Sequence, residues 1–347
     1  MLKHLERLSM LHGPSGFEDK IAEYMKEEAK DHADKVRIDN LGNLIIEKGS
    51  ERPKVMLAAH MDEIGFMVQH IDDNGFIKFV KIGGWDDRIL LGMSVDLIGK
   101  EVVKGIIGTK PPHIIGEEEK KRPISIDEMF IDTGLAKDKL NEIGIRVGTP
   151  LVPSPLFNSF KGRLIGKAFD DRAGCALLLE IIKYSYSLHL FAVGTVQEEM
   201  GIGGARSAAY SIEPDVAIAL EGTVAADTPN VQEHQCPTCL GKGPAITVMD
   251  KTIISNKNLV DFVIEVAEEN KIDYQIKKPP TGATDAGMIS PTKQGIPSCV
   301  ISIPCRYIHS QYSLLLESDL KKAAELVKAL LKEMSLDELK RRKIIRD

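Results

Sequence analysis

The sequence predicts an α/β fold: a mixed β-sheet flanked by helices on both faces, interrupted by a small inserted domain that is mainly β and barrel-like. Three observations predict it. Apolar runs of strand length (HLFAVGTV, DVAIAL, SCVISI) alternate with longer segments of helical period in the second half of the chain. An earlier run, VMLAAH, is continuously apolar, the pattern of a strand covered on both faces. From Phe66 to about Gly162 the texture changes to short β-like runs (FMVQHI, GFIKFVKI, SVDLIG, EVVKGIIG) broken by glycine and turn residues.

In chain order, residues 17–30 (FEDKIAEYMKEEAK) carry apolar side chains at helical spacing, and Gly13-Pro14-Ser15-Gly16 ahead of them offers a turn and an N-cap. VRIDN, GNLIIEK and VMLAAH follow as strands. Inside the inserted region, Lys110 to Pro123 shows no burial pattern and reads as a solvated loop. After Gly166 the order is helix (RAGCALLLEIIKY), strand, helix (GARSAAYSI), strand, helix (NLVDFVIEVAEEN), strand, and a last helix from about Glu317. Residues 1–66 and 163–347 therefore form one domain, with 67–162 inserted. Lys340 to Lys343 reads as a solvated basic cluster that complements the carbonyl end of the terminal helix.

Composition narrows the function classes. With 43% hydrophobic and 28% charged residues over 347, the chain can bury a large core. A formal charge of −6 argues against a general nucleic-acid partner, whose phosphates require a basic surface. The N-terminus lacks a signal-like apolar stretch, and no segment approaches the ~18 apolar residues of a membrane span. Five cysteines, an odd number, fit reduced thiols in a cytoplasm. Cys236 and Cys239 have no second pair nearby and read as ordinary cysteines.

In open α/β sheets functional groups gather beyond the carboxyl ends of the strands. VMLAA exits into His60-Met61-Asp62, LIGKAF into Asp170-Asp171-Arg172, FAVGTVQ into Glu198-Glu199, VAIAL into Glu221, and SCVISIP leads to His309. Carboxylates packed this closely would raise one another's pKa, and divalent cations remove the conflict. Two metal ions with N and O ligands, hence zinc, cobalt or manganese, could hold and acidify a water. The two-residue spacing of His60 and Asp62 lets the carboxylate orient the imidazole. In Glu198-Glu199, one carboxylate can ligate while its neighbour acts as general base. Thr284 and Asp285, in a glycine-flanked loop before an apolar helix, are candidates for substrate contacts. The remaining histidines lack such a setting and read as structural.

AHMDEIGFMV, AFDDRAG, VQEEMGIGGAR, GTVAADTP, TGATDAG and RYIHS, in this order, resemble the signature blocks of the glutamyl, leucyl and deblocking aminopeptidases that form tetrahedral (TET) particles. The resemblance implies a zinc-exopeptidase-like sandwich with a barrel-like insertion that helps build dimers and then a hollow dodecamer. It implies that Asp170 bridges two metals, that His60 and Glu221 complete one site and Glu199 and His309 the other, that Glu198 is the general base, and that Asp62 partners the first histidine. It also implies a cis peptide between Asp170 and Asp171. Glu221 departs from the pattern, since many relatives have Asp there; Asn230 departs too, without an evident consequence. The expected activity is removal of N-terminal residues from peptides. Alternatives are a deacylase or carboxypeptidase with the same chemistry, a glycoside hydrolase, which leaves His60 and His309 without a role, and a metal-binding scaffold.

Overall fold

The structure, a computed structural model, describes residues 1–114, 116, 122–201, 203–278 and 282–346. The chain begins with helices Leu2–Met10 and Asp19–Ala29, then strands β1 (Lys35–Ile38), β2 (Leu44–Lys48) and β3 (Lys54–His60). Six strands follow: β4 (Gly65–Ile71), β5 (Ile77–Ile82), β6 (Ser94–Ile98), β7 (Val102–Gly108), β8 (Phe130–Asp132) and β9 (Pro150–Pro153). They close into a barrel in the order β4-β5-β8-β7-β6-β9. The return portion carries β10 (Phe157–Phe160), β11 (Arg163–Gly166), β12 (His189–Thr195), β13 (Val216–Val224), β14 (Ala245–Thr247), β15 (Gln275–Lys277), β16 (Ser298–Cys305) and β17 (Ser313–Leu316).

The central sheet has eight strands in the order β1-β2-β12-β3-β13-β16-β14-β15. Its middle four strands run parallel, and parallel strands of this kind must be covered on both faces. Burial alternates accordingly. Val55, Leu57 and Ala59 of β3 join the larger core cluster with the helices Leu2–Met10, Phe169–Ile181 and Glu317–Glu333, while Met56 and Ala58 face the helix Gly204–Ile212 and Ile289. Both sets are apolar, so the strand shows no alternation in sequence. The helix Phe169–Ile181 is apolar all round because it is covered all round: Cys175 to Leu179 are fully buried. Each such leucine is worth roughly 1.5–3 kcal/mol of burial.

The barrel has a separate core in which the single tryptophan is the anchor. Trp85 stacks on Phe66 at 4.7 Å, Phe79 meets Phe66 edge-on, and the indole N–H donates to the Gly65 carbonyl.

Three local expectations change, and one helix was not expected. The helix Leu2–Met10 was not legible, because it buries just Leu5, Leu8 and Ser9. Ser15 does not cap the helix that starts at Asp19; Glu18 holds the N-cap position without a side-chain cap bond, and the Ser15 hydroxyl donates to Asp62 instead. The LIGKAF run belongs to a separate three-stranded antiparallel sheet, β10-β11-β17, not to the central sheet. Arg342 is not merely solvated: it pairs with Glu265 at 2.7 Å and lies over the Phe262 ring, docking the C-terminus onto the helix Lys257–Glu269. Of the expected loop 110–123, residues 115 and 117–121 lie outside the described residues; Pro112–Ile114 forms a short 3-10 turn. Among the described residues no helix is long and apolar enough to cross a membrane.

Candidate metal centre

His60 is the last residue of β3, and its partner strand explains what it faces. The β3–β13 ladder ends at Ala58 opposite Ala219, so the next positions along the two strands are released from pairing with each other. His60 and Glu221 then turn their side chains toward one point, with Nε2 and Oε2 3.6 Å apart. Glu221 therefore lies within β13, which continues to Val224, rather than beyond its end. Glu198 and Glu199 follow β12, and His309 follows β16 with a left-handed φ of 57°.

Asp170 arrives differently from the strand exit expected for it. It sits at the start of the helix Phe169–Ile181, where Asp170 and Asp171 depart from helical angles and are joined by a cis peptide. Gly222 makes room for it: a Cβ there would lie 2.8 Å from Asp170 Oδ1 and 2.9 Å from its Cα.

These side chains meet in two groups that share Asp170. In the first, His60 Nε2 is 3.3 Å from Asp170 Oδ1, with Glu221 beside it. In the second, His309 Nε2 is 3.4 Å from Asp170 Oδ2 and 3.2 Å from Glu199 Oε1. Within each group the donor atoms all lie within 4.8 Å of one another.

The outer face of each imidazole is held. His309 Nδ1 donates to the Gly84 carbonyl at 3.1 Å, so a residue following barrel strand β5 orients a ring that follows β16. His60 Nδ1 lies 3.2 Å from the backbone oxygen of Asp62 and 3.4 Å from its carboxylate, so the expected orienting role is shared between main chain and side chain. Asp62 has a second task. Its two oxygens accept the backbone N–H groups of Glu198 and Glu199, each at 3.1 Å, and the Ser15 hydroxyl. Asp171 lies below, accepting the N–H groups of His60 and Gly174. Both imidazoles thus present Nε2 inward, the arrangement that metal-ligating histidines show.

The electrostatics fit cations at these two points. Burial pushes Glu221 and Glu198 well above the usual carboxylate range, and neighbouring carboxylates add to it. Burial opposes a charge on His309, yet Asp170 and Glu199 outweigh it and hold its pKa up at about 11. His60 is also raised well above the ordinary value, burial being overcome by its bonds to Asp170 and Asp62. Protons are thus retained where ligand lone pairs converge, and a divalent ion would displace them. The donor set is imidazole and carboxylate without thiolate, suited to zinc, cobalt or manganese.

A cavity of about 550 Å³ opens over the groups, and Glu198, Thr284, Lys251 and Lys277 help line it. Thr284 donates its hydroxyl to Asp250 at 2.9 Å. Asp285 is not among the lining residues: its carboxylate accepts from the Thr195 hydroxyl and its N–H donates to Glu221. Sequence reading missed Ser15, Gly84 and the two lysines as parts of the site. No sequence signal marked Gly84 or the lysines; Ser15 carried one that pointed to a different partner. The cysteines are all free, and Cys236 Sγ lies 3.6 Å from Cys239 Sγ; neither lines the cavity.

The family model described as M42 glutamyl aminopeptidase matches residues 42–326. The lysyl aminopeptidase of Pyrococcus furiosus is 36% identical over 331 residues, covering 93% of this chain and 94% of that one. Among solved structures, a TET aminopeptidase from the marine sediment archaeon Thaumarchaeota archaeon SCGC AB-539-E09 matches with a TM-score of 0.95 and 38% identity over 98% of each chain. The Pyrococcus horikoshii TET1 peptidase, which can assemble into a tetrahedron or a large octahedral shell, matches with a TM-score of 0.85 and 33% identity over 96% of this chain and 99% of that one.

Proposed function

Because the chain belongs to the M42 glutamyl aminopeptidase family of peptide-bond hydrolases, we propose that it releases N-terminal residues from peptides at a centre of two divalent metal ions, with Glu198 as general base. His60, Asp170 and Glu221 would hold one ion, and Asp170, Glu199 and His309 the other. The observation that carries this reading is the shared carboxylate of Asp170, which faces a different histidine with each of its oxygens.

When bound, two such ions polarise the scissile carbonyl and make water acidic enough to react near neutral pH. The protein's own part is proton handling and orientation. Glu198 sits in the cavity beside the two groups, buried enough to bind a proton firmly. It takes the proton of the attacking water at its carboxylate and gives it to the departing amine nitrogen. Asp62 fixes the backbone of Glu198 and Glu199 together, so base and ligand cannot drift apart.

Assembly belongs to the same proposal. The inserted segment 67–162 would act as the oligomerisation domain of a homo-oligomer, a dodecamer built from dimers. Val102 and Ile106, exposed on β7, supply apolar surface for such contacts. The free cysteines fit a reducing compartment such as the cytoplasm.

The test is direct. The chelated protein, and the protein reloaded with zinc or cobalt, are assayed on aminoacyl amides, on their N-acetylated analogues and on polysaccharide. Release of amino acids from free-amine substrates in the reloaded protein alone is expected. Preference for acetylated substrates would favour a deacylase, and release of reducing sugar would favour a glycosidase.

A further inference from the structure

The loop that carries Glu198 and Glu199 leaves β12 at Thr195. Each of its next four N–H groups is accepted by a side chain from a distant part of the chain. Val196 donates to Asn43 at 3.1 Å, Gln197 to Glu18 at 3.0 Å, and Glu198 and Glu199 to the two oxygens of Asp62 at 3.1 Å each. Main-chain donors that have left the sheet are satisfied here by side chains, which fixes the course of the loop.

Glu18 is the least expected of the three acceptors. It stands at the N-cap position of the helix Asp19–Ala29, yet its side chain makes no cap bond there. Its Oε1 accepts instead from Gly16 at 2.8 Å, within the same turn, and from Gln197, 179 positions away. The first bond is local and requires no burial. The second does: Glu18 is 6% exposed, and that burial, with Asp62 adding to it, pushes its carboxyl up to about 7. A carboxyl in so dry a place costs stability, and what the fold gains from it is a hold on the main chain at Gln197.

Gln197 is the point at which the loop needs holding. Its φ is 59°, in the left-handed region that a residue with a side chain seldom occupies unless its surroundings impose it. The next residue is Glu198, which lines the cavity. With the Gln197 N–H released, φ can relax toward ordinary values and the rotation swings Glu198, where a displacement of about 1 Å can cost 10²-fold in rate.

We propose that Glu18 is a positioning residue for the reaction: it fixes the main chain at Gln197 and thereby the place of Glu198. The inference rests on the aminopeptidase reading with Glu198 as general base.

Two variants separate reach from charge. Glu18→Gln keeps the length and the accepting oxygen without the charge, whereas Glu18→Asp keeps the charge and falls one methylene short. The zinc-loaded natural protein and both variants are assayed on whichever aminoacyl 4-nitroanilide the natural protein cleaves fastest. Glu18→Asp should lose about 10- to 100-fold in kcat with KM within about twofold of the natural value, and Glu18→Gln should recover most of kcat. Hydrogen exchange in the metal-free proteins gives a readout independent of turnover: the peptide holding residues 196–200 should exchange slowly in the natural protein and in Glu18→Gln, and faster in Glu18→Asp. Natural kcat in Glu18→Asp overturns the proposal, as does an equal loss in both variants, the result of a merely structural or charge-based role. A loss that excess zinc restores also overturns it, because the ligand Glu199 and not the base would then be displaced. Fast exchange of this peptide in the natural protein overturns it without any variant. Silence of the natural protein toward every nitroanilide overturns the aminopeptidase reading itself, a distinct outcome.

Discussion

His60 and His309, 249 positions apart in the chain, aim their Nε2 atoms at opposite oxygens of one carboxylate, 3.3 and 3.4 Å from Asp170 Oδ1 and Oδ2. If that carboxylate joins two metal positions, Asp170→Asn should weaken both at once, since the amide offers one neutral oxygen where two charged ones stood. Metal content after dialysis is expected to fall below one ion per chain, with hydrolysis lost. A variant that retains two tightly held ions would refute the sharing.

Glu198 contributes no atom to either ligand group, yet it lines the same cavity. Glu198→Gln should therefore keep its metal and lose roughly 10²-fold or more in kcat, the usual contribution of a positioned base. Metal analysis beside steady-state kinetics checks this, and unchanged kcat would remove Glu198 from the reaction.

Gly222 is a packing constraint on the centre. An alanine there would press on Asp170 at its Cα as well as at Oδ1, and backbone cannot yield as a flexible side chain can. Gly222→Ala should leave the far-ultraviolet circular dichroism intact while lowering metal affinity and activity by about 10-fold or more, as misplaced ligands do. Normal metal affinity in the variant would show that the contact is relieved elsewhere.

Beneath the centre lies a buried ionic network. Lys167 Nζ is 2.6 Å from both oxygens of Glu63, and Arg172 reaches one of them at 3.3 Å. Glu63→Gln leaves two buried cations facing a neutral amide and should cost about 3–5 kcal/mol, measured by denaturation at fixed metal and protein concentration. The network also predicts a pH dependence. Burial, with help from Arg172 and against Glu63, lowers Lys167 from 10.5 to about 8. Between those values the unfolded chain binds the proton and the folded one does not, so this group's contribution to stability rises with pH across that window and is lowest below it. The stability of the natural protein relative to Lys167→Met should thus improve on going from pH 7.5 to 10, by about 1–3 kcal/mol. A flat difference would mean that Lys167 keeps its ordinary pKa.

By itself the sequence determined the layer architecture and the chemistry of the centre's residues. Continuous apolar runs report burial on both faces, because each face of a parallel strand must meet a helix, and this pattern is local enough to survive without coordinates. The blocks around His60, Asp170, Glu198 and His309 were legible for a related reason: each lies near an element boundary, where polar residues interrupt an apolar run, and Glu221 stands out as the first charged residue in the apolar run of β13. Tertiary structure decided the rest. The end of the β3–β13 ladder turns Glu221 toward His60, Gly84 from the barrel side orients His309, Ser15 serves Asp62 rather than a helix end, and Lys277 reaches the cavity lining from the edge strand of the sheet. None of these has a sequence signature, since each depends on which distant segments share a few ångströms of space, and that is set by packing of the whole core and not by the spacing of residues along the chain.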